Sequence, residues 1–328
     1  MVRSFQNILQ KRSRNGDTAI PYHEEEARRL VIQAGLLLTE KKLIARTWGN
    51  ISARICDTQF VITPSGRAYD TLKPEDLVKV NISDGSYTAS NKPSSECGVH
   101  IAAYQLRRDI SFVIHTHQFY ASAVCAACED TPFAPCAAYG KPGSAALKES
   151  LAKTITAHPE SKAFLMARHG VLCLGSDYDD AFTVAEELEQ NCKALFARRV
   201  AVDEAAEITK VAIAGHGTAL LERSRYIDRF CQRNAKLRPY IDDFAQIVGP
   251  YARCVAMAAA AQGLRNRGAV LIRGQGALCV EPDAEAAAMI VNKNCAAALY
   301  AANTAPLSLM DAAQQRRFYL KKYAKRIK

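Results

Sequence analysis

No apolar run in the 328 residues approaches the length needed to cross a bilayer. The segment from Met1 to Asp17 is polar and basic and lacks an apolar signal core. The reading is a soluble cytoplasmic protein with no membrane association. Long stretches of low hydrophobicity are also absent. A 49 % hydrophobic content supports a packed core, and the length suits two ordinary domains. The net charge is +10, but no aromatic stacking motif or nucleic-acid fold signature accompanies it. No nucleic-acid partner is expected. Part of the charge sits in Arg316, Arg317, Lys321, Lys322, Lys325, Arg326 and Lys328, which read as a solvated terminal helix. A mild positive field suits an anionic small substrate. Cysteine is not scarce, with eleven residues, yet they are scattered and often lie inside apolar runs, as at Cys173, Cys254 and Cys279. Free thiols are expected rather than disulfides. Cys125 and Cys128 form a C-x-x-C that is either a zinc or redox motif or two small apolar side chains on an Ala-rich buried helix.

Periodicity places a helix over His23 to Leu43, with Leu30, Val31, Ala34, Leu37 and Leu38 on one face. Two short strands follow in Gly49 to Val61, then a Thr63-Pro64-Ser65-Gly66 loop and a strand over Leu77 to Ile82. Ser95 to Arg107 reads as a helix, Phe112 to His115 as a buried strand before an Ala-rich helix, and Ala163 to Leu174 as a hairpin with Arg168-His169-Gly170 at its turn. Asp177 to Arg199 is a long amphipathic helix. Short spacers between strands favour an antiparallel or mixed sheet covered by helices.

The second part contains an internal echo. Ala269 to Val280 lies on Ala163 to Leu174 without a gap, 106 positions on. Asp283 then falls on Asp177, Ala287 on Ala181, and Gln275 on His169. No match to the His115-Thr116-His117 segment is evident. The echo reads as a degenerate partial duplication without the metal chemistry, or as chance likeness between two apolar hairpin–helix units.

Three imidazoles and a carboxylate stand out. On a strand, His115 and His117 project from the same face about 7 Å apart between α-carbons, so both can close on one ion. His169 sits beside Gly170, where backbone room allows close approach. Each histidine alone is equally an ordinary packed or solvated residue, but together they are the neutral nitrogen set a divalent metal with an open position takes. Glu96, next to Ser94 and Ser95, supplies the carboxylate that metal-assisted proton transfer needs. The two serines are either helix caps or phosphate donors at a helix start. Thr47-Trp48-Gly49-Asn50 and Ser65-Gly66 are further loops with small donors. His216, in Gly215-His216-Gly217, lacks flanking apolar strands and reads as a loop or cap residue.

Taken together, TWGNISAR (Thr47 to Arg54), FVITPSGRAYDTLKPEDLV (Phe60 to Val78), KPSSECGVHIAAYQ (Lys92 to Gln105), FVIHTHQFYASAV (Phe112 to Val124) and ARHGVLCLGSDYDDAFTVAEELE (Ala167 to Glu189) resemble the class II aldolase/adducin family, L-fuculose-phosphate aldolase type. The likeness spans roughly His23 to Arg199. It implies an α/β fold, a three-layer α/β/α domain around a mostly antiparallel sheet, assembled as a tetramer-like homo-oligomer. It makes His115, His117 and His169 the ligands of one Zn2+ per chain, with Mn2+ or Co2+ as substitutes. Glu96 becomes the catalytic acid/base and Tyr139 the proton donor to the aldehyde-side oxygen across an interface. Thr47, Asn50, Ser65, Gly66, Ser94 and Ser95 become phosphate-binding positions. The implied reaction cleaves a ketose 1-phosphate to dihydroxyacetone phosphate and an aldehyde. Dehydratases and decarboxylases of sugar and acid phosphates share the scaffold; 4-epimerases carry aspartate in place of Glu96. A non-catalytic adducin-like interaction protein lacks the histidines. The expected divisions are a polar tail over 1–21, the catalytic domain over 22–209, and a smaller α/β partial-repeat domain over 210–328 that is structural and binds no metal.

Overall fold

The computed structural model describes residues 19, 21–44, 48–202, 206–213, 217–265, 267–280 and 284–322. Thr47, His216, Asp283, Lys325, Arg326, Lys328 and most of the tail over 1–21 lie outside the described residues.

Helix α1 (Glu24–Glu40) opens with three glutamates, which complement the positive end of the helix dipole, and buries Ala27, Val31, Ala34 and Leu38 at helical spacing. It stops before the expected Leu43 because Lys42 takes a left-handed conformation, φ 58°. There follow β1 (Asn50–Cys56), β2 (Gln59–Ile62), β3 (Val78–Asn81), α2 (Cys97–Leu106), β4 (Phe112–Thr116), α3 (Phe119–Cys125), β5 (Cys136–Ala137), α4 (Ala145–Ala157), β6 (Ala163–Met166), β7 (Gly170–Gly175) and α5 (Tyr178–Arg199). The seven strands run β3-β2-β1-β4-β7-β6-β5, with only β5 and β6 parallel. Strand alternation sends Phe112, Ile114, Val171 and Cys173 into the core shared with α1, α3 and α5. It sends Val113, Leu172 and Leu174 into a second core under α2 and α4. The result is the expected three-layer α/β/α arrangement with a mostly antiparallel sheet.

The second part contains β8 (Ala206–Ile213), β9 (Gly217–Ser224), α6 (Arg225–Cys231), β10 (Lys236–Leu237), α7 (Asp242–Ile247), β11 (Ala252–Val255), α8 (Ala260–Leu264), β12 (Ala269–Ile272), β13 (Gly276–Cys279), α9 (Ala284–Tyr300) and α10 (Leu309–Lys322). Its sheet runs β10-β11-β12-β13-β9-β8. The echo is longer than the sequence suggests. Ala163 pairs with Cys173 and Ala269 with Cys279; Ile114 pairs with Cys173 and Leu220 with Cys279, each partner 106 positions on. Helices α3 and α6 keep the same offset at both ends. Strand β9 therefore takes the place of β4, where no match was expected. The pairing survived while the residues changed: at the positions of His115, His117 and His169 the second unit has Leu221, Arg223 and Gln275.

One core runs across both parts. Tyr120 and its counterpart Tyr226 face each other, hydroxyl to hydroxyl at 3.5 Å. Phe196 packs edge-on against both and stacks on Tyr300. Helix α10 is solvated on one face, where Arg317 and Lys321 are exposed as its charge suggested, and packed on the other. Ala312, Gln315 and Tyr319 are buried, and Arg316 donates to the Gln246 carbonyl of the second part at 2.6 Å. All eleven cysteines are free. Eight are buried, Cys125 among them on α3, whereas Cys128 is exposed and Cys56 and Cys136 are half-buried. Among the described residues, no helix is long and apolar enough to cross a membrane.

Candidate metal centre

Four side chains far apart in the chain meet at one end of the first sheet. His115 comes from β4, His117 from just beyond its end, and His169 from the β6–β7 turn, while Glu96 stands immediately before α2. Each offers one ligand atom, and all four atoms lie within 4.8 Å of one another. His115 Nε2 is 3.1 Å from both His117 Nε2 and Glu96 Oε2, and His169 Nε2 is 2.7 Å from Glu96 Oε1. The approach depends on Gly170. A Cβ there would stand 2.5 Å from the Thr116 carbonyl oxygen and 3.2 Å from His115 Cε1, driving β7 away from β4.

The second ring nitrogens all face acceptors. His115 Nδ1 is 2.8 Å from the Val171 carbonyl, His169 Nδ1 is 3.2 Å from Asp242 Oδ2, and His117 Nδ1 is 2.9 Å from Asp243 Oδ1. The last pair is close but not aligned as a hydrogen bond. Histidines that bind metals use their rings this way, donating one N–H outward and turning the other nitrogen inward. Inside the cluster, His169 Nε2 and Glu96 Oε1 are buried and close, yet misaligned with each other and without another partner. Buried polar atoms left so are costly. Three imidazole nitrogens and a carboxylate converging on one point fit a divalent cation of zinc type.

Electrostatics agree. Burial opposes charge on Glu96, but the His169 and His115 imidazoles hold its carboxyl well below the usual range. Burial lowers His117 to about 4 against the pull of Asp243, which keeps its ring neutral and able to coordinate. Burial also weighs against charge on His169, yet Glu96 and Asp242 push it up to about 10. The local field thus favours positive charge between these carboxylates.

Sequence reasoning missed several participants. His100, one helical turn after Glu96, is buried and holds the Asn50 amide oxygen, while Asn50 Nδ2 donates to Glu96 Oε2 at 3.1 Å. The i, i+4 spacing of Glu96 and His100 was the available signal. Asn50, expected at the phosphate, therefore lines the cavity with its amide committed to Glu96 and His100. Asp242, Asp243 and Lys293 come from the second part, where only an adjacent acid pair hinted at them. Tyr139 does not line the cavity. Its hydroxyl donates to Asp242 Oδ1 at 2.9 Å, within the same chain.

Lys293 and Asp243 are both buried and 2.8 Å apart. Burial opposes ionisation of Asp243, but His117 and Lys293 hold its carboxyl far below the usual range. Lys293→Met strands that carboxylate. A loss of about 3–5 kcal/mol of stability is expected, measured by urea unfolding; a loss below about 1 kcal/mol would show that Asp243 has another counter-charge.

The metal cluster opens into a cavity of about 620 Å³. Its walls include Ser65, Gly66, Ser94 and Ser95, with Arg67 and Lys141 as cations. The two serine loops are zipped together: Ser94 N–H donates to the Thr63 carbonyl at 3.1 Å and Ser65 N–H to the Lys92 carbonyl at 3.0 Å. Gln314, Gln315, Phe318 and Tyr319 of α10 also line the cavity.

Residues 29–196 match the family described as Class II Aldolase and Adducin N-terminal domain. A 3-oxo-tetronate 4-phosphate decarboxylase of Pectobacterium atrosepticum is 30 % identical over 217 residues, 60 % of this chain and 98 % of that protein. An L-fuculose phosphate aldolase of Haemophilus influenzae is 32 % identical over 171 residues, 48 % of this chain and 77 % of its own length. A solved L-fuculose 1-phosphate aldolase is 27 % identical, covers 56 % of this chain and 89 % of its own, and superposes with a TM-score of 0.47. Glu96 and the three histidines all lie within the matched span, and the chain belongs to the class II aldolase and adducin family.

Proposed function

We propose that the protein is a zinc-dependent carbon–carbon lyase acting on a small phosphorylated keto compound and yielding dihydroxyacetone phosphate. The convergence of three imidazole Nε2 atoms with Glu96, each ring's other nitrogen facing an acceptor, carries this reading. It weighs against a purely adducin-like interaction role. His115, His117 and His169 would hold the metal, and a zinc ion bound there would supply Lewis acidity for the negative charge that bond cleavage leaves beside the carbonyl. Ser65, Gly66, Ser94 and Ser95, which line the cavity, hold the phosphate, with Thr47, outside the described residues, as the further phosphate position the family resemblance implies. Asn50 orients Glu96. Breaking the bond leaves an electron pair on the carbon next to the carbonyl, and Glu96, ionised at rest, relays to that carbon a proton it takes up from solvent in the cavity. The enzyme is a cytoplasmic homo-oligomer on this reading, tetramer-like as the family resemblance implies.

The substrate of the first reading is a ketose 1-phosphate of the L-fuculose 1-phosphate kind, with an aldehyde as second product. Decarboxylation of a 3-oxo acid phosphate is the second reading, and one observation favours it. An aldehyde forms only when the hydroxyl of the departing fragment gives up a proton, whereas carbon dioxide leaves without such a transfer. Tyr139, the residue expected to serve that oxygen, has its hydroxyl committed to Asp242 away from the cavity wall. Zinc-loaded protein incubated with both substrate classes should release triose phosphate, with aldehyde in one case or carbon dioxide in the other. Release from neither class would sink the proposal.

A further inference from the structure

The second half of the chain reaches the outer nitrogens of two of the cluster's rings through two consecutive residues. Asp242 and Asp243 open α7. Each spends one carboxylate oxygen on fixed donors and turns the other to an imidazole. Asp242 Oδ1 accepts from Tyr139 Oη at 2.9 Å and from Gln315 Nε2 at 2.6 Å, and its Oδ2 faces His169 Nδ1 at 3.2 Å. Asp243 Oδ2 accepts from Lys293 Nζ at 2.8 Å, and its Oδ1 faces His117 Nδ1 at 2.9 Å. One dipeptide thus aims two rings that arrive from different strands. The same segment grips the turn that carries His169. The Asp242 N–H donates to the Arg168 carbonyl at 2.8 Å, and the Arg168 guanidinium donates to the Ala305 carbonyl at 2.6 Å. Arg168 itself is held at φ 63°, a conformation non-glycine residues adopt only when their surroundings enforce it.

We infer that Asp242 and Asp243 are positioning residues for His169 and His117, so that the repeat unit without metal ligands of its own sets the metal affinity of the first unit. The inference rests on the metal-dependent reading proposed above. A carboxylate on the outer nitrogen fixes the tautomer and orientation of a ligating ring and raises its basicity. Binding linkage is reciprocal, so metal loading in turn tightens the docking of α7 on the β6–β7 turn.

The test is zinc competition against a chromophoric chelator, on metal-free wild type and on Asp242→Asn and Asp243→Asn. The amide keeps the size of the side chain and leaves the backbone bond to Arg168 in place, but removes the charge. Each variant is expected to bind zinc roughly 10–100-fold more weakly. Alanine at either site should weaken it at least as much as asparagine, and zinc should raise the melting temperature of wild type more than that of the variants. The d–d bands of the cobalt-substituted variants should shift from wild type as the rings reorient. A merely structural role instead lowers the metal-free melting temperature and leaves zinc affinity and the cobalt spectrum unchanged. Zinc affinity within threefold of wild type in a folded asparagine variant overturns the inference. If Asp243→Asn fails to fold, Asp242→Asn decides alone, because Asp242 has no buried lysine partner. Wild type that binds no stoichiometric zinc overturns the proposed function instead, so the two failures are distinguishable.

Discussion

His115→Ala is expected to abolish stoichiometric zinc and to lower kcat/KM by roughly three orders of magnitude, the several kcal/mol that a Lewis acid contributes to such a transition state. His115 is the ligand least open to replacement. It is fully buried on β4, its Nδ1 is fixed on the Val171 carbonyl, and its Nε2 faces both His117 and Glu96. No described side chain outside the cluster offers a ligand atom to the same point. The two remaining imidazoles and Glu96 would bind zinc too weakly to retain it through dialysis against a chelator. Metal content by mass spectrometry and the rate of triose phosphate release read the two losses, with far-ultraviolet circular dichroism as the folding control. The substitution removes an aromatic ring from a buried wall, so some loss of stability accompanies it, but the strand pairing around residue 115 is backbone-made and should persist. A folded variant that keeps both zinc and activity would remove the three-imidazole site from consideration.

Glu96→Gln is expected to separate chemistry from metal binding. The amide has the shape of the carboxyl group and can still accept from Asn50, so the cavity is preserved. The variant loses the charge and the proton-carrying capacity. Three imidazoles remain, and zinc should be retained. A positioned acid/base contributes typically 10²–10⁴-fold, so kcat should fall by about that factor. In deuterated water the wild type should place deuterium on the carbon next to the carbonyl of the triose phosphate, and the variant should do so at a correspondingly reduced rate. A kcat within tenfold of wild type would show that another group carries the proton. The cluster geometry makes this a sharp test: Glu96 lies against both His115 and His169, so a role confined to ligation predicts lost zinc with lost activity, whereas proton transfer predicts lost activity alone.

Much of this centre was legible in the chain because its parts depend on local geometry. Spacing of two on a strand puts His115 and His117 on one face, and a glycine after His169 lets the turn approach, as the close contact of Gly170 with Thr116 bears out. Glu96 was visible as the residue opening a helix beside two serines. The second unit was legible only in part. Its hairpin and following helix kept enough apolar pattern to reveal the offset of 106, and Tyr226 and Cys231 repeat Tyr120 and Cys125 at that spacing. Strand β9, which stands before them, had changed too far, because a buried strand constrains polarity and size rather than identity.

The amino-acid sequence by itself determined which chemistry is available: three nitrogens and a carboxylate in one unit, and in the other Gln275 where the first has His169. Which groups surround that chemistry was decided by the tertiary structure. Asp242 and Asp243 lie 73 and 126 positions from the histidines they face (169 and 117), and no local rule connects residues so far apart. Only the shared core around Tyr120, Phe196 and Tyr226 brings the two units together closely enough to bury a carboxylate beside each ring. The same packing moved Tyr139 onto Asp242 and laid one face of the basic terminal helix along the cavity, since burial and hydrogen bonding between distant segments act on the face that charge leaves undecided.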